Sequence, residues 1–150
     1  MDRHLDFEGI ENFRDFGGYG TACGRGVRRG VLYRSANHAR ATAADLERLR
    51  QMGIRVVVDL RRPAERARDP SLRHDGFTAH VIENDLGVAG DPWIAAMQAS
   101  DLSIDWFRAD GVAFYREAPF EERHIDLFSR YFQALARAEG PILVHCAAGK

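Results

Sequence analysis

A cysteine between an apolar run and a turn of small residues is the feature of this sequence most suited to chemistry. The run "ILV" leads into His145 and Cys146, and "AAG" and Lys150 follow directly. Residues 147–149 carry little or no side chain, so their backbone N–H groups can converge on one point and bind an anion. A cysteine in such a positive field favours its thiolate form, which is the nucleophilic one. The stretch therefore predicts a nucleophile beside an oxyanion-binding loop, an arrangement suited to attack on a phosphate ester.

The elements around this stretch predict an α/β fold that places the cysteine where a strand ends. Residues 142–146, "ILVHC", and 54–60, "IRVVVDL", are near-continuous apolar runs, typical of strands buried on both faces of a parallel sheet. A helix before the second run is predicted by Thr42 as the cap, Asp45 as a weak capping-box partner and Gly53 as the stop. A helix that leads directly into a buried strand is the repeating step of an α/β fold.

The rest of the chain predicts shorter elements and one region without a clear pattern. Strands are predicted at 31–35 and 77–82, and a short helical turn at 62–69. Residues 83–116 predict a surface excursion with one or two short helices, of which "DPWIAAMQ" is one. A longer helix is predicted over 120–138. Four residues at helical spacing form its predicted apolar face: Ile125, Phe128, Phe132 and Leu135.

Composition and charge exclude several classes of protein. A chain of 150 residues, 45% hydrophobic and 29% charged, predicts one globular domain over 1–150. Its net charge of −1 gives no bulk attraction for nucleic acid. No apolar run approaches the roughly 18 residues of a membrane span, and the charged N-terminal stretch is unlike a signal peptide. Two cysteines, Cys23 and Cys146, do not form a disulfide framework, so a cytosolic protein is expected, with signal-independent export left open.

Four further blocks accompany the cysteine stretch in a fixed order. They are "NFRDFGGY" (12–19), "LYRS" (32–35), "GIRVVVDLR" (53–61) with a later Glu65, and "YREAPF" (115–120). With "HCAAGK" they resemble the atypical tyrosine/dual-specificity phosphatases of bacteria and fungi, whose signature is HCxAGKDRTG. The resemblance extends over most of the chain and is weakest in the excursion. It implies a three-layer α/β fold, with a central, mostly parallel sheet flanked by helices.

The same resemblance implies roles for the residues of the terminal stretch. Cys146 would be the nucleophile that forms a phosphocysteine intermediate, and His145 would orient it. The expected substrates are phosphotyrosine proteins, with phosphoserine/threonine and phosphoinositides as alternatives; the lysine at the place of Lys150 is associated with phosphoinositides. No metal or cofactor is expected, because the thiolate and the loop do the chemistry. The expected phosphate-binding backbone groups belong to Ala147, Ala148, Gly149 and Lys150.

Two parts of the family's catalytic apparatus have no clear match. The signature arginine, which binds two phosphate oxygens, would follow Lys150 by two residues, after an acidic residue. These 150 residues alone are therefore expected to lack the C-terminal helical part of the domain. They are also expected to show no useful turnover. The general acid that protonates the leaving oxygen is assigned to Asp85, which soon follows a predicted strand. Other aspartates of the excursion remain open for this role: Asp91, Asp101, Asp105 and Asp110.

Several charged residues have both a structural and a functional interpretation. Arg14 and Asp15 form a local ion pair on a loop in the first interpretation and border the phosphate pocket in the second. Asp59 and Arg61 end a buried strand on the side where open α/β sheets place their sites, and are expected to brace the loop. Arg34 likewise has a structural interpretation, in which it braces the loop, and a functional one, in which it belongs to the site. The histidines without metal-ligand spacing are expected to be surface or packing residues: His38, His74, His80 and His124.

Two other functions compete with the phosphatase. A rhodanese-like sulfurtransferase also carries a reactive cysteine after a parallel strand, but the blocks at 12–19 and 32–35 argue against it. A phosphate-binding pseudophosphatase is the alternative that the unmatched arginine favours. Thiosulfate:cyanide activity would indicate the first, and phosphopeptide binding without turnover the second.

Overall fold

A five-stranded sheet forms the centre of the molecule. A computed structural model describes residues 3–87, 92–137 and 140–150. The strands are β1 (Arg14–Asp15), β2 (Leu32–Ser35), β3 (Val56–Asp59), β4 (His80–Ile82) and β5 (Ile142–His145). Their order in the sheet is β1-β2-β5-β3-β4. The strands predicted for residues 31–35, 54–60 and 142–146 are confirmed, while the one predicted for 77–82 is shorter than expected.

The sheet brings the ends of three strands together around β5. This strand lies between β2 and β3 and is parallel to both, with His145 opposite Ser35 on one side and Asp59 on the other. Strand β4 is parallel to β3, and only β1 is antiparallel to its neighbour. Because parallel strands end at the same edge, the residues that follow β2, β3 and β5 meet there.

Five helices are described around the sheet. They are α1 (Ala43–Met52), α2 (Pro63–Arg68), α3 (Pro92–Gln98), α4 (Ile104–Glu117) and α5 (Glu122–Arg137), with a 3₁₀ turn at Ala118–Phe120. Helix α1 begins and ends as predicted, with a complete capping box between Thr42 and Asp45 and with Gly53 in the left-handed region at φ 61°. The helices predicted at 62–69 and at "DPWIAAMQ" are confirmed. In the described residues no helix combines the length and the apolarity needed to span a bilayer.

Helices cover both faces of the sheet, which gives the predicted three layers. On one face Val56 and Val58 pack with Leu127 and Ala134 of α5. On the other face Leu143 packs with Leu49 of α1 and with the N-terminal residues Ile10 and Phe13. Successive side chains of a strand point to opposite faces, so continuously apolar strands supply both cores at once. The predicted mixed α/β fold with a mostly parallel sheet is therefore confirmed.

The buried face of α5 differs from the predicted one. Ile125 and Phe132 are 51% and 66% exposed, whereas Leu127 and Ala134 are buried against the sheet. Arg123 is also buried, and its guanidinium donates to the carbonyl oxygens of Leu60 and Arg61. Leu135 of the predicted face is half-buried against the core, so periodicity identified only part of the buried face.

Candidate active site

The cysteine of the terminal stretch directly follows β5 at the edge where three strands end. Cys146 is partly exposed, and two donors approach its sulfur. The backbone N–H of Gly149 donates to Cys146 Sγ at 3.2 Å, and Arg34 Nη2 lies 3.8 Å from the same atom. One of these donors is a backbone amide and the other belongs to a guanidinium.

Two asparagines hold the first carbonyl groups of the loop. Asn37 donates to Ala147 O twice, from Nδ2 at 3.0 Å and from its backbone N–H at 3.1 Å. Asn12 Nδ2 donates to Ala148 O at 2.7 Å. Neither asparagine is a predicted site residue. Asn12 opens the block "NFRDFGGY" and Asn37 follows "LYRS" by two positions, so their places beside these blocks were the available signal.

Arg14 and the backbone of β2 hold the end of the loop. Arg14 Nη2 donates to Gly149 O at 2.6 Å. Gly149 has φ 72°, and a Cβ placed there would lie 2.5 Å from Ala36 N and 2.7 Å from Ser35 C. Only glycine therefore fits this close approach without strain.

The held carbonyl groups determine where the N–H groups of the loop point. In a planar trans peptide, each carbonyl is opposed by the N–H of the next residue. The carbonyl groups of residues 147–149 are bound by side chains from the N-terminal part of the chain. The N–H groups that oppose these carbonyls, those of residues 148–150, therefore point away from these side chains. The N–H of Gly149 accordingly faces Cys146 Sγ. The loop thus presents a backbone N–H to the thiol on the side opposite its bound carbonyl groups.

His145 is fully buried beneath the loop. Its Nε2 lies 3.5 Å from Asp59 Oδ2, and its ring stacks on that of His38 with centroids 4.9 Å apart. Burial lowers the pKa of His145 to about 4, and the opposing effect of the Asp59 carboxylate is smaller. The imidazole is therefore neutral at neutral pH, and stacking fixes its orientation.

His38 is a buried member of the same cluster, in agreement with the packing alternative and not with the surface one. Its Nδ1 lies 3.2 Å from Arg73 Nη1, which can only donate, so Nδ1 accepts and Nε2 carries the proton. Nε2 then donates to Ser35 Oγ at 3.1 Å, and that hydroxyl donates to Ala36 O. Burial lowers the pKa of His38 well below its usual value, with a further contribution from His145. This chain of hydrogen bonds fixes the segment on which Gly149 rests.

Asp59 and Arg61 form a buried ion pair under the cluster. Arg61 Nη2 lies 2.7 Å from Asp59 Oδ2, and the same guanidinium donates to Asp69 O and Ser71 Oγ. Burial alone would raise the pKa of Asp59, but hydrogen bonds from Arg61 bring it below its ordinary value. Asp59 reaches His145, which lies between this pair and the loop. The geometry favours the bracing interpretation of both residues.

Arg14 and Asp15 do not form the predicted local ion pair. They are successive residues of β1, so their side chains point to opposite faces of the sheet. Asp15 accepts from the backbone N–H groups of Gly17 at 2.6 Å and Gly30 at 2.9 Å, which holds the glycine-rich segment between β1 and β2. Only Arg14 reaches the cysteine loop.

The structure places Asp85 next to α2, whose residue Arg66 it contacts. It follows β4, two strands away from β5, and its 82% exposed side chain pairs with Arg66. Arg66 also donates to Asn84 O and Arg61 O. Of the other candidates, Asp101 accepts from Ser103 N, and two lie in α4, Asp105 and Asp110. Asp91 lies outside the described residues, and the general acid stays a prediction.

Within the described ranges, no group of three or more His, Cys, Asp or Glu side chains is placed to hold a metal ion. The arrangement instead combines a thiol, the N–H of Gly149 and a guanidinium. Chemically, this set can bind an oxyanion against a sulfur nucleophile.

Comparison with known proteins relates nearly the whole chain to one family. The model of the tyrosine phosphatase family matches residues 5–150. A Cupriavidus necator protein named "Putative tyrosine-protein phosphatase" is 36% identical over 152 residues, which cover 99% of this chain and 53% of that protein. The triple specificity protein phosphatase PtpB of Mycobacterium tuberculosis is 28% identical over 170 residues, covering 97% of this chain and 58% of PtpB. The chain thus spans about half the length of these curated relatives.

Proposed function

This chain belongs to the tyrosine phosphatase family, and on that premise we propose that it carries the nucleophile of a cysteine-dependent phosphatase. The observation that carries the proposal is the contact from the Gly149 N–H to Cys146 Sγ, in a loop whose carbonyls are bound on the other side. Backbone donors placed in advance around a reacting centre stabilise charge that develops there. The family match favours this function over a rhodanese-like sulfurtransferase.

The proposed reaction has two displacements at phosphorus. The thiolate of Cys146 attacks the phosphoryl group, so that an S–P bond forms while the bond to the leaving oxygen breaks. A general acid protonates that oxygen. Water then attacks the phosphocysteine and gives a proton to the conjugate base of the general acid, the S–P bond breaks, and inorganic phosphate and the thiolate are released. The N–H groups of residues 148–150 bind the phosphoryl oxygens in both steps, and neither step uses a metal or cofactor.

The other residues have supporting roles in this proposal. Neutral His145 orients the cysteine from below, and Asp59 with Arg61 holds His145 in place. Asp85 remains the proposed general acid. In that role its carboxyl group has to leave the contact with Arg66 and reach the leaving oxygen beside Cys146.

Phosphotyrosine in proteins is the proposed substrate class. Activity on phosphoserine/threonine or phosphoinositides is proposed because PtpB is named a triple specificity protein phosphatase. The exposed Lys150 would contribute charge beside the loop for such anionic substrates. We place the protein in the cytoplasm, because a reducing compartment keeps a reactive thiol such as Cys146 reduced.

The test is Cys146→Ser in the full-length protein, with phosphate release from a phosphotyrosine peptide as the measurement. We expect a loss on the order of 10³-fold or more, because the nucleophile itself is removed. Cys23→Ser, at the other, exposed thiol, is the matched control and should keep its activity. Rapid quenching of the wild-type reaction should give a phosphorylated peptide that contains Cys146. Retained hydrolysis in Cys146→Ser would contradict the mechanism, and phosphate binding without turnover in the wild type would indicate a pseudophosphatase.

A further inference from the structure

Two arginines lie side by side on the strands next to the cysteine loop. Arg14 of β1 and Arg34 of β2 are direct partners in the antiparallel register, so their side chains emerge from the same face. Within the described parts of the chain, neither guanidinium pairs with a carboxylate. Like charges opposite each other in a sheet are destabilising unless negative charge offsets them. The pair therefore indicates a site for an anion.

The two guanidinium groups differ in what they contact. Arg14 is engaged with the carbonyl oxygen of Gly149 and so supports the shape of the loop. Arg34 contacts the reacting atom itself, with Nη2 3.8 Å from Cys146 Sγ. A guanidinium has five N–H donors in a planar fork, and this contact uses one of them. Arg34 thus has donors left for an oxyanion next to the sulfur.

We propose that Arg34 is a catalytic residue of this site, whose guanidinium binds the phosphoryl group beside Cys146 together with the N–H groups of the loop. The inference rests on the proposed role of Cys146 as the nucleophile. A phosphorus atom poised for attack lies about 3 to 3.5 Å from the sulfur, which brings its oxygens within reach of a group 3.8 Å from Sγ. The ligand class is a phosphate monoester dianion, or inorganic phosphate as its simplest form.

The experiment measures how inorganic phosphate protects Cys146 from iodoacetamide in the full-length protein. Mass spectrometry follows alkylation of the peptide that contains Cys146, and the exposed Cys23 serves as an internal control for the reagent. Three variants are compared with the wild type. Arg34→Met removes the charge, Arg34→Lys keeps the charge but loses the fork, and Arg28→Met makes the same charge change at an exposed residue of the glycine-rich segment.

We expect Arg34→Met to raise the half-protecting phosphate concentration by about tenfold or more, as loss of a charge-assisted hydrogen bond implies. Arg34→Lys should raise it by about threefold, because an ammonium cannot bind two oxygens in a fork. Arg28→Met should leave it unchanged. Wild-type protection in Arg34→Met would overturn the inference, and so would an equal effect of Arg28→Met, since bulk charge would then explain both.

Folding of the variants is controlled in the same experiment. Unfolding would remove the phosphate protection of Cys146 altogether, and circular dichroism would show the lost helices. Should Arg34→Met fail to fold, Arg34→Lys decides: a shift of about threefold supports the inference, and an unchanged concentration overturns it.

Failure of this inference is distinguishable from failure of the proposed function. Turnover that depends on Cys146, with phosphate protection independent of Arg34, would overturn only the role of Arg34. Protection that depends on Arg34, with hydrolysis retained in Cys146→Ser, would support the phosphate contact and overturn the nucleophile.

Discussion

The cysteine loop and the excursion between β4 and α5 are held by different kinds of contact. Asn12, Arg14 and Asn37 bind the carbonyls of the loop across 136, 135 and 110 positions of sequence. Helix α4 of the excursion has no buried residue, and its first turn is capped locally by Ser103. Long-range contacts therefore determine the shape of the loop, while local propensity determines that of α4. A substitution in or under the loop should consequently lower the free energy of unfolding much more than a substitution on α4.

The largest effect is expected for Gly149→Ala. The left-handed φ of 72° and the contact of 2.5 Å with Ala36 N both oppose a Cβ. The substitution should therefore lower the free energy of unfolding by about 4 kcal/mol. Gly24→Ala is the matched control, because Gly24 has φ 76° and no atom lies within 4 Å of the point where its Cβ would stand. The Gly24→Ala variant should lose about 1 kcal/mol of unfolding free energy, which is the cost of the left-handed backbone alone. Equal losses in urea denaturation would show that the loop is not closely packed against β2.

The second effect is a loss of stability in acid that originates under the loop. His145 has a pKa of about 4 in the folded protein and 6.5 as its ordinary value. Between these values the unfolded chain takes up a proton that the buried imidazole does not. The contribution of neutral His145 to the free energy of unfolding is therefore complete above pH 6.5 and falls by roughly 3 kcal/mol as the pH drops to 4. His38, whose pKa burial also lowers, acts in the same direction.

Urea denaturation at several pH values measures this dependence. His145→Gln should reduce the slope between pH 6.5 and 4, whatever its effect on absolute stability. The low pKa of Asp59 acts at lower pH and does not account for a change in this window. An unfolding free energy that is flat from pH 6.5 to 4 in the wild type would contradict the assignment of a neutral, buried His145.

The smallest effect is expected on the excursion. Tyr115 in α4 is 70% exposed, so Tyr115→Ser should change the free energy of unfolding by less than about 0.5 kcal/mol. Serine and tyrosine have similar helix propensities, which leaves little other cause for a change. Thermal denaturation of this variant beside Gly149→Ala measures the contrast directly. A loss above about 2 kcal/mol would show that α4 is held by tertiary contacts like those of the loop.

Much of the fold was predictable because its signals are local. The Thr42 cap, Asp45 and Gly53 bound α1 as expected, and continuous apolar runs identified β3 and β5. The buried face of α5 was predicted only in part, since Leu135 packs against the core and Ile125 and Phe132 are exposed. Its choice between Phe132 and Leu127 depends on how the helix lies on the sheet, and residue spacing does not encode that.

The candidate site divides in the same way. Sequence alone singled out Cys146, His145 and the small-residue turn as candidates, since a nucleophile beside converging N–H groups requires those residue types in consecutive positions. Their catalytic roles stay predictions. It left Arg14, Arg34 and Asp59 with two interpretations each, and it missed the roles of Asn12, Asn37 and His38.

The sequence by itself determined which groups are available in this chain: a thiol, a turn of small residues directly after it, and the strands that carry them. Only the tertiary structure decided which distant side chains complete the site. Arg34 reaches the sulfur, and Asn12 reaches the loop, because β1, β2 and β5 are neighbours in the sheet. Strand order is a property of the whole fold, so contacts between residues more than 100 positions apart follow from it and not from any local pattern.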